Sequence, residues 1–327
     1  MIEQRNSIRS VFSRLGWGLT VFLALSTIAQ FLMAYVPQWV LGKENPLNES
    51  ETWMWLTSIL PMYLIGFPGL YLIIRKVPVA EHPRQKLGAK RFWTLLPICF
   101  FVMYAGNVIG NLIALFFGRG MDDNFVQELI VSTSNPLKYL ALLVVAPVME
   151  ELTFRKLLLD RVIPYGEKTA VVLSGILFGL FHQNLYQFFY AFGVGIVLAY
   201  VYVRTGRIRY SMIMHFIFNV FGGVIAPFMM ELSQGMLEMN PAAMEAAAII
   251  KMLLTSLLSL AISGMIVGLF ISGIVLFCLR VKKTHWEETA LQLPKSEVFR
   301  TVYGNAGMVL FIVLCCAMAV LSHVLQW

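Results

Sequence analysis

Residues 146–155 read APVMEELTFR and lie within one of the most apolar parts of the chain. The residues before them read YLALLVV (139–145), and those after them read KLLLDRVIPY (156–165). Two adjacent glutamates and an arginine therefore stand where the surrounding residues predict a membrane-spanning helix. Ionised groups at that depth cost several kcal/mol each unless they are paired or hydrated, so by default they indicate a functional site.

The membrane pattern extends along the whole chain. Of its 327 residues, 58 % are hydrophobic and 13 % are charged, whereas a soluble chain is about a quarter charged. The mean hydropathy is +0.74. Long apolar runs, which suit a hydrocarbon core about 30 Å thick, occupy residues 15–36, 53–74, 92–117, 136–159, 169–183, 186–203, 210–228, 248–279 and 305–326. An alternating β-barrel pattern is absent, so we predict an all-α, polytopic transmembrane helical bundle with eight or nine spans.

The net charge of +7 is better explained by membrane topology than by nucleic-acid binding, and we expect no nucleic-acid partner. With nine spans, the basic loops around residues 5–14, 75–91, 204–209 and 280–300 all fall on one side, and the opposite loops are acidic or nearly neutral. The positive-inside rule makes the basic side cytoplasmic. We therefore expect a multi-pass membrane protein with its N-terminus in the cytoplasm. The absence of an obvious retention or transit signal favours a bacterial cell membrane.

Few strongly polar side chains fall deep inside the predicted spans, and two of them are suited to pairing. Glu151 and Arg155 are four residues apart, so they share a helix face and can neutralise each other. Glu150 lies about 100° round the helix from Glu151. Glu150 is thus the carboxylate left free, and we expect it to be the reactive group.

The remaining polar residues of the predicted spans suggest hydrolytic chemistry. His215 and Asn219 are four apart on one helix face, and Phe178 shares a face with His182. A glutamate can act as general base to a water, and a histidine with an asparagine can donate hydrogen bonds to the oxyanion of a tetrahedral intermediate. Glu150, His182 and His215 could instead hold a zinc ion with one position open for water. The spacing does not decide between the two.

Three motifs at these residues resemble those of a known family. EELTFR (150–155), FGLFH (178–182) and HFIFN (215–219) are similar, in that order, to the EExxxR, FxxxH and HxxxN motifs of the CAAX-protease and bacteriocin-processing family (CPBP, or Abi) of intramembrane proteases. The stretch GIVLAYVYVRTGRIRYSMIMHFIFN (195–219) also resembles that family. The resemblance covers residues 130–226. We expect these to form the core of a single membrane-embedded domain over residues 1–327.

The resemblance implies endopeptidase activity on a peptide or protein substrate, which could be bound to the lipid bilayer, in CAAX-type maturation or in bacteriocin or signal-peptide processing. It implies that Glu150 and His182 activate water, and that His215 and Asn219 form the oxyanion site. The supporting residues would be Glu151, Arg155 and Phe178. The family is often called a metalloprotease family, so the resemblance leaves zinc open as a cofactor, with the ligands Glu150, His182 and His215.

Two other functions remain open from the sequence. A catalytically silent bacteriocin-immunity or scaffold protein could keep the same fold and bind a partner. A transporter or proton relay could use the same buried carboxylates, but it would carry broken or charged helices in both halves of a repeat, and no repeat is seen. Residues 229–247 could form a lid that controls the entry of a peptide, but we favour an amphipathic surface loop.

Overall fold

The computed structural model describes residues 2–80, 84–117, 125–237 and 246–325, and all regular secondary structure within these ranges is helical. The all-α prediction is therefore confirmed. The helices, in chain order, are α1 (Ile2–Leu41), α2 (Glu51–Ile74), α3 (Ala89–Phe116), α4 (Phe125–Ser132), α5 (137–165), α6 (Glu167–Phe181), α7 (Leu185–Thr205), α8 (208–237), α9 (Ala246–Val281), α10 (Lys295–Tyr303) and α11 (Ala306–Leu325). Residues 238–245 of the segment considered as a lid lie outside the described residues.

Each of the nine apolar runs coincides with a helix of the described chain. By length and composition, six of these helices are long and apolar enough to cross a membrane, and the pair α10–α11, bent by 69°, would be a seventh. The helices α5 and α6 are not among them, because α5 carries several ionised residues and α6 has only 15 residues. The predicted eight or nine spans are compatible with this fold when α5 and α6 are counted.

The best-buried apolar residues lie where α1, α5, α6 and α11 meet. Phe12, Phe154, Leu177 and Phe311 are fully buried there. By contrast, α9 packs mainly against α3 and leaves most of its leucines exposed, as expected for a helix surrounded by lipid. The motif-bearing helices are therefore central, and α9 is peripheral.

Small residues allow the central helices to cross closely. A Cβ atom at Gly106 of α3 would lie 2.5 Å from the Cα atom of Tyr190 in α7. A Cβ atom at Gly195 of α7 would lie 3.1 Å from the Cα atom of Gly175 in α6. Such close approach is typical of helix packing in membranes, where burial of apolar surface gives little driving force between helices.

Main-chain hydrogen bonds join the basic loops at one end of the bundle. The Gln85 N–H donates to the Thr205 carbonyl at 2.8 Å, and the Leu293 N–H donates to the Tyr165 carbonyl at 3.1 Å. At the other end, the Glu51 carboxylate accepts a hydrogen bond from the Asn135 N–H at 2.8 Å. The loops that the sequence assigns to opposite sides of the membrane are thus at opposite ends of the structure.

Candidate active site

The three sequence motifs come together where α5, α6 and α8 pack near one another. Glu150 and Glu151 end the α-helical segment Ala146–Glu151, which lies between two π-helical segments, Leu140–Val145 and Leu152–Leu159. π-helical segments are rare and often occur at functional sites. His182 caps the C-terminal end of α6, and α8 packs against α5.

Glu151 and Arg155 form the ion pair that their spacing predicts. The Arg155 Nε atom lies 3.2 Å from Glu151 Oε2, and both side chains are 0 % exposed. Arg155 also donates a hydrogen bond from Nη2 to the Gly195 carbonyl at 3.4 Å. Its guanidinium carbon lies 4.7 Å from the centroid of the Phe178 ring. The buried charge of Glu151 is therefore compensated within the protein, as a charge at this depth requires.

His215 lies between the two glutamates. Its Nδ1 atom is 3.1 Å from Glu151 Oε1, and its Nε2 atom is 3.5 Å from Glu150 Oε2. Because Glu151 is held ionised by Arg155, it can only accept a hydrogen bond, and His215 Nδ1 must carry a proton. The Glu150 side chain is 15 % exposed, whereas that of Glu151 is fully buried. Glu150 is thus the carboxylate that a water or a substrate can reach.

Phe178 and His182 form the α6 side of the site. His182 Nδ1 lies 2.8 Å from the Phe178 carbonyl oxygen. A carbonyl oxygen only accepts, so Nδ1 carries the proton, and Nε2 keeps the lone pair when the ring is neutral. The Phe178 ring contacts both imidazoles, with centroid distances of 4.9 Å to His182 and 5.7 Å to His215. Phe178 therefore supports both histidines as well as Arg155.

Asn219 lies one helical turn beyond His215, as the spacing predicts. Its Nδ2 atom donates a hydrogen bond to the Leu142 carbonyl oxygen at 2.7 Å. This bond joins α8 to the π-helical segment of α5 that precedes the glutamates. In this structure the Asn219 amide is thus engaged with the main chain, a contact that its sequence position did not reveal.

The predicted zinc ligands do not converge as a metal-binding set. Within the described residues, no group of three or more His, Cys, Asp and Glu side chains lies close enough together to hold a metal ion. Zinc binding by Glu150, His182 and His215 stays a prediction.

Three further residues belong to the site and were missed in the sequence. Ser211 is fully buried and faces the Glu151 carboxylate. With His215 and Asn219 it forms a row of polar residues four apart, and this periodicity could have identified it. Tyr63 of α2 and Tyr190 of α7 lie close enough to Glu150 to interact with its charge. Their positions in the sequence carry no comparable pattern.

The part of the chain that carries the three motifs is similar to known proteins. Residues 132–221 match the family described as Type II CAAX prenyl endopeptidase Rce1-like. The chain is 25 % identical over 186 residues (54 % of this chain and 72 % of the relative) to the "Putative membrane peptidase YdiL" of Bacillus subtilis (strain 168). It is also 25 % identical over 175 residues (50 % of this chain and 70 % of the relative) to the "Membrane-embedded CAAX protease MroQ" of Staphylococcus aureus (strain USA300). No solved structure is significantly similar to the chain.

These matches confirm the family resemblance that the three motifs predict. The matched region contains Glu150, His182, His215 and Asn219. The chain is therefore a multi-pass membrane protein related to CAAX-type membrane peptidases.

Proposed function

We propose that this relative of the CAAX membrane peptidases is an intramembrane endopeptidase in which Glu150 activates the attacking water. The observation that carries the proposal is the unequal environment of two adjacent carboxylates. The Glu151 side chain is fully buried and its charge is neutralised by Arg155, whereas the Glu150 side chain is partly exposed beside His215. A general base needs access to water and to the substrate, and only Glu150 has this access.

The proposed reaction is peptide-bond hydrolysis in two steps. The Glu150 carboxylate takes a proton from water while the water oxygen adds to the carbonyl carbon of the peptide bond. His182 Nε2 accepts the second water O–H and orients the nucleophile. The proton on Glu150 then passes to the amide nitrogen as the C–N bond breaks, which gives a free amine and a carboxylic acid, and the acid then loses its proton to solvent.

His215 is the proposed donor to the oxyanion of the tetrahedral intermediate. Its Nε2 atom faces Glu150 Oε2 at 3.5 Å. A ring nitrogen without a proton and a carboxylate oxygen would repel each other, so either Nε2 or Oε2 must carry a proton. With the proton on the ring, Nε2–H points into the site while Nδ1–H stays bound to Glu151. Such a fixed donor stabilises developing negative charge without reorganisation during the reaction.

The proposed substrate is a peptide or protein segment that reaches the site from the membrane. The partly exposed Glu150 lies on a central helix of a multi-pass bundle, and the two relatives are named as a membrane peptidase and a membrane-embedded CAAX protease. We further propose a bacterial cell membrane as the location, with the N-terminus and the basic loops on the cytoplasmic side.

The test is peptide cleavage in proteoliposomes with the wild-type chain, Glu150→Gln and Glu49→Gln. Glu49 is an exposed carboxylate in the turn between α1 and α2, so it is a matched control. We expect Glu150→Gln to lower kcat/KM by about 100-fold or more and Glu49→Gln to leave it unchanged. Normal turnover by Glu150→Gln would exclude the mechanism.

Two further outcomes of the same assay separate the alternatives. Cleavage that survives a strong chelator supports water activated by Glu150 without metal. Cleavage that is lost on chelation and restored by zinc instead indicates a metal cofactor. If the wild-type chain cleaves none of a broad set of soluble and lipid-anchored peptides, the peptidase proposal fails and a partner-binding function replaces it.

A further inference from the structure

One carbonyl oxygen of α5 has lost its partner within the helix. In the π-helical segment Leu140–Val145, the Ala146 N–H donates to the Ala141 carbonyl, five residues earlier. If the same pattern continued, in which each N–H donates to the carbonyl five residues earlier, the N–H of residue 147 would donate to the Leu142 carbonyl. Residue 147 is a proline, which has no N–H. In an α-helix, the Ala146 N–H would donate to the Leu142 carbonyl, but here it donates to the Ala141 carbonyl.

Asn219 supplies the missing hydrogen bond from a different helix. Its Nδ2 atom lies 2.7 Å from the Leu142 oxygen in a partly buried position. In a membrane protein, a carbonyl freed by proline must be satisfied by a neighbouring side chain or water, since lipid offers no donor. Asn219 therefore takes the place of the main-chain N–H that Pro147 removes.

We infer that Asn219 is a positioning residue that holds the π-helical segment of α5 before Pro147 in place and, through it, the location of Glu150. The inference rests on the proposed function, because it assigns Asn219 a role in placing the proposed general base. Glu150 lies only three residues after Pro147, within two turns of the π-helical segment Leu140–Val145. A shift of this segment would move the carboxylate relative to His215. Misplacement of about 1 Å can lower a rate by about 100-fold.

The test is a double-mutant cycle between Asn219 and Pro147. Asn219→Leu removes the donor but keeps a side chain of similar size. Pro147→Ala restores a main-chain N–H next to the Leu142 carbonyl, and Pro147→Ser supplies the same N–H if the alanine variant fails to fold. Each variant and each pair is assayed for kcat, KM and the thermal unfolding midpoint.

We expect the Asn219 substitution to matter only when Pro147 is present. In the wild-type background, Asn219→Leu should lower kcat by about tenfold or more with KM changed less than about twofold, since it leaves a partly buried carbonyl unpaired. In the Pro147→Ala background, the same substitution should lower kcat by less than about threefold, because the two residues act on one carbonyl. An equal loss in both backgrounds would show that Asn219 acts on the substrate directly and would overturn the inference.

Two matched controls isolate the contact. Asn111→Leu removes an amide that donates to Asn107 within its own helix, so it should show no coupling to Pro147→Ala. Pro97→Ala removes another proline inside a helix, so it should not rescue Asn219→Leu. Rescue by Pro97→Ala would mean that the recovery is non-specific, and the inference would fail.

The unfolding measurement keeps the inference testable if the proposed function is wrong. In the Glu150→Gln background, Asn219→Leu should lower the unfolding midpoint, and adding Pro147→Ala should abolish most of that difference. This result does not depend on cleavage. Failure of cleavage with intact coupling would reject the peptidase function alone, whereas absence of coupling would reject the role of Asn219.

Discussion

Glu150 and Glu151 are neighbours in the chain but have opposite environments. The difference arises from helix geometry, because adjacent residues project about 100° apart. Glu151 faces Arg155 and His215 and is fully buried, whereas Glu150 faces His215 from the accessible side. The i,i+4 spacing was sufficient to predict the ion pair. That His215 contacts both carboxylates could not be predicted, since it depends on how α8 packs against α5.

The hydrogen bond of His182 leads to a prediction about which of its ring nitrogens binds the attacking water. Its Nδ1–H is engaged by the Phe178 carbonyl, so Nε2 is the nitrogen available to water. His182→Gln places an acceptor near the Nε2 position, whereas His182→Asn preserves only the bond to Phe178. We expect His182→Asn to lower kcat by about 100-fold or more and His182→Gln to retain clearly more activity. The measurement is kcat with a peptide that the wild-type chain cleaves.

The matched control for this pair is His285→Asn, which changes an exposed histidine in the loop after α9. It should leave kcat unchanged. If His182→Asn were more active than His182→Gln, the bond to Phe178 would be the important one, and His182 would have a structural role.

At the scale of the elements, the sequence predicts where the helices lie but not which of their segments are π-helical. The apolar runs locate the helices within a few residues, because burial and lipid contact both select apolar side chains over the same length. A π-helical turn adds a residue and rotates everything after it. The sequence letters of Leu140–Val145 and Leu152–Leu159 carry no sign of this rotation. The contact between Asn219 and Leu142 could therefore not be predicted from the sequence, although the shared helix face of His215 and Asn219 could.

The crossing of α3 and α7 leads to a prediction about stability. A methyl group at Gly106 would meet the main chain of Tyr190 at 2.5 Å, and main chain cannot move aside as a flexible side chain can. Gly106→Ala should therefore push α7 away and destabilise the protein by about 1–3 kcal/mol. The measurement is the thermal unfolding midpoint in detergent.

A glycine on a lipid-facing helix serves as the control for this substitution. Gly264 of α9 has open space around the position of its Cβ atom. Gly264→Ala should leave the midpoint unchanged or raise it slightly, since alanine is favoured over glycine in a helix by roughly 1 kcal/mol. Equal loss in both variants would mean that glycine flexibility, and not close packing, is important at Gly106.

At the scale of the whole molecule, charge and hydrogen bonding divide the bundle into two ends. Arg204 of α7 pairs with Glu167 of α6 at 2.7 Å, and the same carboxylate accepts the Glu287 N–H at 2.8 Å. Arg9 of α1 donates to the Gly304 carbonyl at 2.6 Å. The basic loops were grouped on one side from charge alone, and the structure brings them together. The apolar runs predict spans at both α5 and α6, although α5 carries several ionised residues and α6 has only 15 residues.

The orientation of these two ends in the membrane is the last prediction. Cysteines are introduced singly at Lys43, Lys168 and Lys283, all exposed, in a chain whose native cysteines are replaced by alanine. The native cysteines are Cys99, Cys278, Cys315 and Cys316. Because the basic end should be cytoplasmic, a membrane-impermeant thiol reagent should label Lys43→Cys in intact bacterial cells.

The other two positions should be labelled only after the cells are lysed, because Lys168 lies in the first turn of α6 and Lys283 follows α9, both at the basic end. Lys168 is the informative site for α5. It can share the protected side with Lys283 only if α5 crosses the membrane, carrying Glu150 and Glu151 through the bilayer. Labelling of Lys168→Cys in intact cells, with Lys283→Cys protected, would show that α5 does not cross and that the site lies near the outer surface. Labelling of Lys283→Cys in place of Lys43→Cys would show that the whole bundle is inverted.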